Sequence, residues 1–132
     1  MAVQNNYARS IDTRNWSELR TCFADTAVIT FGIPRQQGGP DEFLAWAPPF
    51  HERFARTLHQ TSTHRSRIEG DAAVATCYLH ALLIDLDEQG GTEIFGHYDD
   101  TLVRVDGGWR IETRTFSASW RQPLSAPWSA HE

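Results

Sequence analysis

Two histidines stand five residues apart in the polar stretch TLHQTSTH, which covers residues 57–64. An imidazole serves either as a metal ligand or as a general base near neutral pH, so the stretch raises both possibilities. Side chains of an extended strand alternate between its two faces, and the odd separation therefore places His59 and His64 on opposite sides. Because the chain also lacks an H-E-x-x-H motif and paired cysteines, we expect no zinc site, no other metal and no cofactor.

The same stretch is polar on both faces, although it falls within a predicted sheet. Positions 59, 61 and 63 share one face, and positions 60, 62 and 64 share the other. A strand that only served packing would show an apolar face. We therefore expect one face to line a polar or wet cavity, but the alternation does not decide which histidine lies there.

The composition narrows both the partners and the chemistry. The chain has 132 residues and a formal net charge of −5, and all 12 of its basic residues are arginine. An acidic chain without a basic cluster is not expected to bind nucleic acid or an anionic membrane, because binding phosphates requires clustered positive charge. The absence of lysine excludes Schiff-base catalysis. Any reaction must therefore use histidine, carboxylate, tyrosine or arginine.

Length and hydropathy indicate one cytoplasmic domain over residues 1–132. The first residues lack the basic and apolar parts of a signal peptide, and no apolar run approaches the ~20 residues of a membrane span. Cys22 and Cys77 have apolar neighbours. We expect both to be buried thiols that behave as small hydrophobic side chains, not a disulfide or nucleophiles.

The first half of the chain predicts helices. Val3, Tyr7 and Ile11 lie four apart and indicate a helix over residues 2–13 with one apolar stripe. The other elements of this half are a short helix that begins with the capping sequence N-W-S-E at 15–18, a strand over 27–31, a loop over 32–40 and a helix from Pro40 to about Phe54.

The second half predicts an antiparallel meander. Its extended segments cover residues 57–69, 72–87, 92–105 and 109–121, and short turn-rich joints separate them. Helices followed by a meander give an α+β fold. Strands this long exceed the usual ~5 to 6 residues, so the sheet must curve, and helices over its concave side would enclose a pocket. The core is expected over about 3–121, with a tail at 122–132 that is loose or covers a neighbouring surface.

Short motifs along residues 3–121 carry a resemblance to a known family. They are Y-x-x-x-x-D at 7–12, N-W-S-E-L at 15–19, L-H-Q at 58–60, I-E-G-D-A at 68–72, G-x-Y-x-D at 96–100 and V-D-G-G-W-R-I at 105–111. In this order and spacing, the chain resembles the SnoaL-like branch of the nuclear transport factor 2-like superfamily. The resemblance implies a cone-shaped barrel, formed by a strongly curved antiparallel sheet and three helices, that encloses a hydrophobic pocket.

The resemblance also implies a catalytic pair. In dehydratase and dehydrochlorinase members of the superfamily, an aspartate of the first helix orients a histidine on the sheet, and Asp12 and His59 match these two residues. Arg114 matches a functional arginine of the dehydrochlorinase, whereas Tyr7 stands where that enzyme has a lysine. His80 lies on the strand of a second dehydratase histidine, but a few residues too early.

Further side chains are candidates for substrate binding, each with a structural alternative. Tyr98 is expected in the pocket as a proton donor, and Asp100 on the same face either pins the strand or contacts a ligand. His80 is as readily a core histidine as a pocket residue. Arg114 shares a face with Phe116 and Trp120; it is either solvated, paired with glutamate, or inside the cone, where it would bind negative charge.

The third helix carries Trp46, Phe50 and Phe54 at roughly helical spacing. Aromatic residues in such a stripe are more often core than ligand-binding, although in this family the helix can also cover the pocket. His51 and His131 are expected to be exposed.

Three functions are compatible with these features. The first is a cofactor-independent lyase or isomerase (a dehydratase, polyketide-type cyclase or proton-transfer isomerase) that acts on a small hydrophobic ring compound in secondary metabolism or catabolism, with Asp12 and His59 as general base. The second is a non-catalytic binding protein for a small ligand. The third is an assembly partner, like the small subunit of ring-hydroxylating oxygenases. The apolar segment 72–87 would allow a homodimer or homotrimer through the sheet.

Overall fold

The computed structural model describes residues 2–125. Its elements are α1 (Ala2–Asp12), α2 (Trp16–Thr21), β1 (Phe23–Phe31), β2 (Gln36–Gly38), α3 (Pro40–His51), β3 (Phe54–Glu69), β4 (Ala72–Asp85), β5 (Gly91–Val105) and β6 (Gly108–Leu124). The strands form one sheet in the order β2-β1-β6-β5-β4-β3. Among the strands of residues 2–125, only the β1–β6 pairing is parallel. The predicted α+β architecture, with three helices and a curved antiparallel sheet, is confirmed.

The two N-terminal helices form as their sequences predict. Buried Val3, Tyr7 and Ile11 make the apolar stripe of α1. The side chain of Asn15 caps α2, because its Oδ1 accepts the backbone N–H of Glu18 at 3.2 Å while its Nδ2 donates to the Glu18 carboxylate at 3.0 Å. These local hydrogen bonds fix the turn that follows Asp12, and they thereby fix the direction in which the end of α1 points.

Helix α3 begins at Pro40 as predicted but ends at His51, three residues before the predicted end at Phe54. Its buried stripe consists of Phe43, Ala47 and His51, each four residues after the last, together with Pro40. Phe54 instead begins β3. The expectation that His51 is exposed is therefore wrong, because the buried face of the helix lies one residue away from the aromatic stripe.

The four long strands carry the register irregularities that bend a sheet. One lies between Ser62 and Arg65 of β3, and another faces Phe95 and Gly96 of β5. On β6, Ala118 pairs with Gly96 but Trp120 pairs with Phe95, so Ser119 is an extra residue. Trp120 consequently leaves the face of Arg114 that the sequence predicted for it, and it is 61% exposed on the outer side.

The structure also differs from the predicted boundaries in strands β2 and β6. The segment predicted as a loop contains β2, which pairs with β1 through Ile29, Thr30 and Phe31. Strand β6 continues to Leu124 and so includes the first residues of the predicted tail. Residues 126–132 of that tail, which include His131, lie outside the described residues.

Small side chains on β4 leave space between the sheet and the helices. The inner face of β4 carries Ala73, Ala75, Cys77, Leu79, Ala81 and Leu83, all buried, and they alternate with outward residues. Cys22 and Cys77 are buried free thiols, as expected, and burial raises the pKa of Cys22 to about 11. No helix within residues 2–125 has the length and apolar character needed to cross a membrane.

Candidate functional site

The concave side of the sheet encloses a cavity of about 250 Å³. Its walls are mainly apolar, and the apolar residues include Ile29, Phe31, Phe43, Trp46, Phe50, Phe54, Leu79, Ala81, Leu83, Ile94 and Phe116. The polar side chains that line it include Tyr7, His51, His59, Tyr98 and Arg114, which come from five different elements. An apolar cavity with few convergent polar groups is typical of a small-molecule site.

Asp12, the last residue of α1, holds His59 of β3 through both carboxylate oxygens. The Nδ1 atom of His59 lies 2.7 Å from Oδ1, and the backbone N–H of His59 donates to Oδ2 at 2.8 Å. The hydroxyl of Thr57 also donates to Oδ1, at 3.0 Å. These three bonds offset the unfavourable position of a carboxylate at a helix C-terminus, which costs about 0.3 to 1 kcal/mol.

This contact fixes the tautomer of His59. A carboxylate only accepts hydrogen bonds, so Nδ1 carries the proton and Nε2 of the neutral ring has a free lone pair. The side chain of His59 is 9% exposed and lines the cavity. Asp12 lines only a groove on the other side of the ring. The arrangement presents an oriented imidazole base to the cavity.

Arg114 lies on the opposite wall, on β6, and its side chain is 1% exposed. Its Nε and Nη2 donate to the two oxygens of Asp100 at 2.7 and 2.8 Å. The guanidinium lies over the rings of Tyr98 and Tyr7, at 3.9 and 4.3 Å from their centroids. Its buried Nη1 has no hydrogen-bond partner within residues 2–125. One donor of the buried guanidinium is therefore left without a hydrogen bond, next to the cavity that Arg114 lines.

The protonation states on this wall follow from burial and charge. Burial lowers the pKa of Arg114, but the charge of Asp100 and its hydrogen bonds outweigh burial, so the net pKa is raised. Burial raises the pKa of Tyr7, with Arg114 opposing the effect, and burial raises that of Tyr98 well above its ordinary value. At neutral pH this wall holds one cation and two neutral hydroxyl groups.

His51 is the site residue that the sequence reasoning missed. It is 3% exposed, and its Nδ1 donates to the carbonyl oxygen of Ala47 at 2.6 Å. The ring centroids of His51 and His59 are 5.9 Å apart. Burial lowers the pKa of His51 to about 4, and the hydrogen bond to Ala47 opposes this only in part. The spacing of four between Phe43, Ala47 and His51 is a sequence signal for it, but it does not stand out in a helix that is apolar on most sides.

His80 lies outside the site, contrary to the substrate-binding role expected for it. Alternation on β4 turns Leu79 and Ala81 inward, so His80 faces the outer side of the sheet. There its Nε2 lies 2.7 Å from a carboxylate oxygen of Glu93, and its ring stacks on Phe95 with centroids 4.4 Å apart. Both faces of β4 are apolar, which is why the sequence left the orientation open.

His59 and His64 do not lie on opposite faces of a regular strand, contrary to what their odd separation predicts. That prediction assumed a regular strand, but β3 is irregular between Ser62 and Arg65, and Thr63 has a φ of 53°. As a result, Nε2 of His64 lies 3.1 Å from the hydroxyl of Thr61, whose position shares a face with His59. Across residues 2–125, no three histidine, cysteine or acidic side chains are grouped so as to hold a metal ion.

The other expected site residues take these positions. Tyr7, Trp46, Phe50, Tyr98, Arg114 and Phe116 all line the cavity. Asp100 does not line it and instead binds Arg114, which is the pinning role that the sequence left open. Phe43 and Arg53 also contribute to the walls, although the sequence reasoning did not select them.

A curved, mostly antiparallel sheet with three helices over one internal cavity defines the cystatin-like class of folds that includes the nuclear transport factor 2-like proteins. The sequence profile of the SnoaL-like domain matches residues 1–115. The protein belongs to the SnoaL-like domain family, as its motifs predicted.

Solved structures show the same fold at low sequence identity. A candidate scytalone dehydratase from Novosphingobium aromaticivorans DSM 12444 superimposes with a TM-score of 0.84 at 20% identity, over 99% of this chain and 91% of that one. The hexachlorocyclohexane dehydrochlorinase LinA-type3 from Novosphingobium barchaimii LL02 gives 0.75 at 18% identity, over 92% and 85%. A cystatin-like protein from Nostoc punctiforme PCC 73102 gives 0.75 at 16%, over 90% and 87%. No curated protein sequence matches the chain significantly.

Proposed function

We propose that this protein is a cofactor-independent lyase or isomerase that removes a proton from a small hydrophobic ring compound, with His59 as the general base. The observation that carries the proposal is the 2.7 Å contact between Nδ1 of His59 and Asp12 at the wall of a mainly apolar cavity. Asp12 holds the ring in the Nδ1–H tautomer and stabilises the imidazolium that forms when Nε2 takes a proton.

Arg114 supplies the second half of this chemistry. Removing a proton from the carbon next to a carbonyl group moves negative charge to the carbonyl oxygen. The positive charge of Arg114 stabilises the charge on that oxygen. The neutral hydroxyl groups of Tyr7 and Tyr98, which share one hydrogen bond, leave one proton to donate to it. Because these groups are held in place by Asp100 and by burial, they stabilise developing charge without reorganising.

The cavity sets the size of the substrate. About 250 Å³ is below the ~300 to 1,000 Å³ of pockets that hold drug-sized ligands, so the space suits one substituted ring. The aromatic side chains of α3 provide the apolar contacts. The names of two structural neighbours, a dehydrochlorinase and a candidate dehydratase, denote eliminations. Elimination, cyclisation and isomerisation share the initial proton removal, and we propose elimination as the first reaction to test.

The test follows a small cyclic hydroxyketone by proton NMR in D₂O. With 3-hydroxycyclohexanone, His59 would take a proton from the carbon between the carbonyl and the hydroxyl-bearing carbon, and hydroxide would leave to give cyclohexenone and water. We expect the wild type to accelerate this loss, or the exchange of that proton for deuterium. His59→Asn keeps a donor to Asp12 but lacks the base, and it should be slower by about 10² to 10⁴.

His64→Asn is the matched control, because His64 is exposed on the same strand and should leave the rate unchanged. If the wild type neither eliminates nor exchanges protons of this ketone and of close ring analogues, while binding them unchanged, the protein is a ligand-binding module instead. Equal rates in wild type and His59→Asn would reject the assignment of the base.

We further propose that the protein is cytoplasmic. We also propose that it forms a homodimer or homotrimer through the outer face of the sheet. Large apolar side chains are exposed there, among them Val74, Tyr78, Phe95 and Trp120. Burying such a patch against a second copy is favourable. Light scattering should give a mass two or three times the chain mass of 15.0 kDa. The substitution Tyr78→Arg should lower the measured mass to that of a single chain. A monomeric wild type would contradict the proposed assembly.

A further inference from the structure

We propose that His51 is a further substrate-binding residue, whose Nε2 accepts a hydrogen bond from a hydroxyl group of the ligand beside His59. The inference rests on the proposed function and narrows it, because it specifies a ring that carries a hydroxyl group. No motif of the sequence pointed to this residue.

The tautomer follows from the backbone. A carbonyl oxygen only accepts hydrogen bonds, so the 2.6 Å contact with Ala47 requires that Nδ1 of His51 carries the proton. In a neutral ring, Nε2 is then an acceptor and cannot donate. No hydrogen bond from the described part of the chain reaches this nitrogen, although the side chain is almost completely buried and lines the cavity. Arg114 Nη1, and not this atom, is the buried nitrogen without a partner in residues 2–125, so Nε2 of His51 is an acceptor that opens on the cavity. A polar group that enters the cavity is therefore its natural partner.

The surroundings keep the ring neutral. It packs against the aromatic rings of Trp16, Trp46 and Phe50. The charged or titratable groups that face it are His59, Arg14 and Asp12, and the first two disfavour a positive charge on His51. When His59 accepts a proton during the reaction, its new charge disfavours protonation of His51 further. His51 therefore remains an acceptor throughout the cycle, while His59 changes its protonation state.

The two imidazoles thus have different tasks. His59 removes a proton, whereas His51 fixes the ring through a hydroxyl group on the side of α3. Arg114 binds the carbonyl oxygen on the other wall of the same cavity. The best ligand is therefore a hydroxylated cyclic ketone, in which a hydrogen-bond donor and an acceptor lie on different parts of one ring.

The experiment compares two neutral probes of the same size, 4-hydroxycyclohexanone and 4-methylcyclohexanone, by ligand-observed NMR titration. Wild-type protein should bind the hydroxyl compound more tightly than the methyl compound. In His51→Asn, the side-chain amide replaces Nδ1–H but no atom occupies the position of Nε2. This variant should lose about 3- to 10-fold in affinity for the hydroxyl compound, the usual effect of one neutral hydrogen bond, and should bind the methyl compound as before.

His51→Gln provides the rescue, because its amide oxygen reaches the position of Nε2 and should restore part of the preference. Circular dichroism of each variant separates loss of fold from loss of the acceptor. If His51→Asn is folded and retains the wild-type preference, the inference is wrong. Deuterium exchange of the protons next to the carbonyl is read in the same samples. If the preference for the hydroxyl compound depends on His51 but no deuterium exchange occurs, the binding role of His51 stands and the proposed catalysis is rejected. If exchange occurs but the preference does not depend on His51, the proposed catalysis stands and the binding role is rejected.

Discussion

Arg114 and Asp100 form a two-pronged ion pair, and both side chains are essentially inaccessible to solvent. Asp100 also accepts a hydrogen bond from the side chain of Gln4 at 3.2 Å, so helix α1 is tied to the sheet at this point. A pair of opposite charges inside a protein gains little over an apolar pair, but removing one partner leaves an uncompensated charge. As long as Arg114 is buried at this position, the fold needs the carboxylate of Asp100 to balance its charge.

Replacing Asp100 by asparagine should therefore destabilise the protein by about 3 to 5 kcal/mol, measured as the free energy of unfolding in urea at neutral pH. The control is Asp99→Asn at the next position of β5, where the carboxylate is 55% exposed and faces His97. An exposed pair of this type contributes little, so the control should stay within about 0.5 kcal/mol of wild type. Similar losses in both variants would show that the buried pair has no special role.

Asp12 should determine the tautomer of His59, and this is measurable without a substrate. Long-range ¹H–¹⁵N NMR distinguishes protonated from unprotonated ring nitrogens. In the wild type at a pH where the ring is neutral, we expect the proton on Nδ1 of His59, because that atom lies 2.7 Å from Asp12. In Asp12→Asn the ring should also populate the Nε2–H form, since an amide can donate to Nδ1 as well as accept from it.

His51 is the internal control for this spectrum, because its Nδ1 donates to a backbone carbonyl that the Asp12 substitution leaves unchanged. Its signals should report Nδ1–H in both proteins. If the His59 tautomer were the same in wild type and in Asp12→Asn, the carboxylate would not be the group that sets it.

The starts of the helices and the antiparallel meander of β3 to β6 were predictable because each follows a local rule, whereas strand β2 and the parallel pairing of β1 with β6 were not. Residues four apart along α1 and the capping sequence at Asn15 depend only on nearby positions. The orientation of single side chains on the long strands was not predictable in the same way. Trp120 and His64 both follow an irregularity in strand pairing, and such an irregularity results from the curvature of the whole sheet.

The candidate site was predictable in part for a related reason. Asp12 and His59 stood out through the family resemblance, and the structure places them in contact. His51 was overlooked because almost every position of α3 from Phe43 to Phe50 is apolar, so the pattern did not define one buried face. Only the packing of α3 against β1 and α2 selects the face that carries Phe43, Ala47 and His51.

Burial of His51 should make the protein less stable in acid. The unfolded chain binds a proton at this residue with a pKa near 6.5, whereas the folded protein binds it only at about 4. The stabilising contribution is therefore complete above pH 6.5 and is lost as the pH falls from 6.5 toward 4. At 1.36 kcal/mol per pKa unit, the full loss is about 3 kcal/mol.

The measurement compares urea unfolding of wild type and His51→Asn at pH 7.5 and pH 4.5. Other carboxylates and histidines titrate in both proteins, so the difference between the two isolates His51. The stability of the wild type relative to the variant should fall by about 2 to 3 kcal/mol between these pH values. A difference that does not change with pH would mean that His51 takes up its proton as easily in the folded protein as in the unfolded chain.

Gly96 allows β5 and β6 to approach closely at the irregularity that turns Trp120 outward. A Cβ atom at this position would lie 2.3 Å from the backbone oxygen of Ser117 and 3.0 Å from the ring of Phe116, which lines the cavity. Gly96→Ala must separate the strands, and it should cost about 1 to 3 kcal/mol, the usual range for overpacking. Thermal unfolding followed by circular dichroism measures the loss.

Gly108→Ala is the control, because its Cβ would have no neighbour closer than 3.8 Å and its φ is not positive. If the two alanine variants unfolded at the same temperature, close strand contact at Gly96 would not be what shapes this part of the cavity wall.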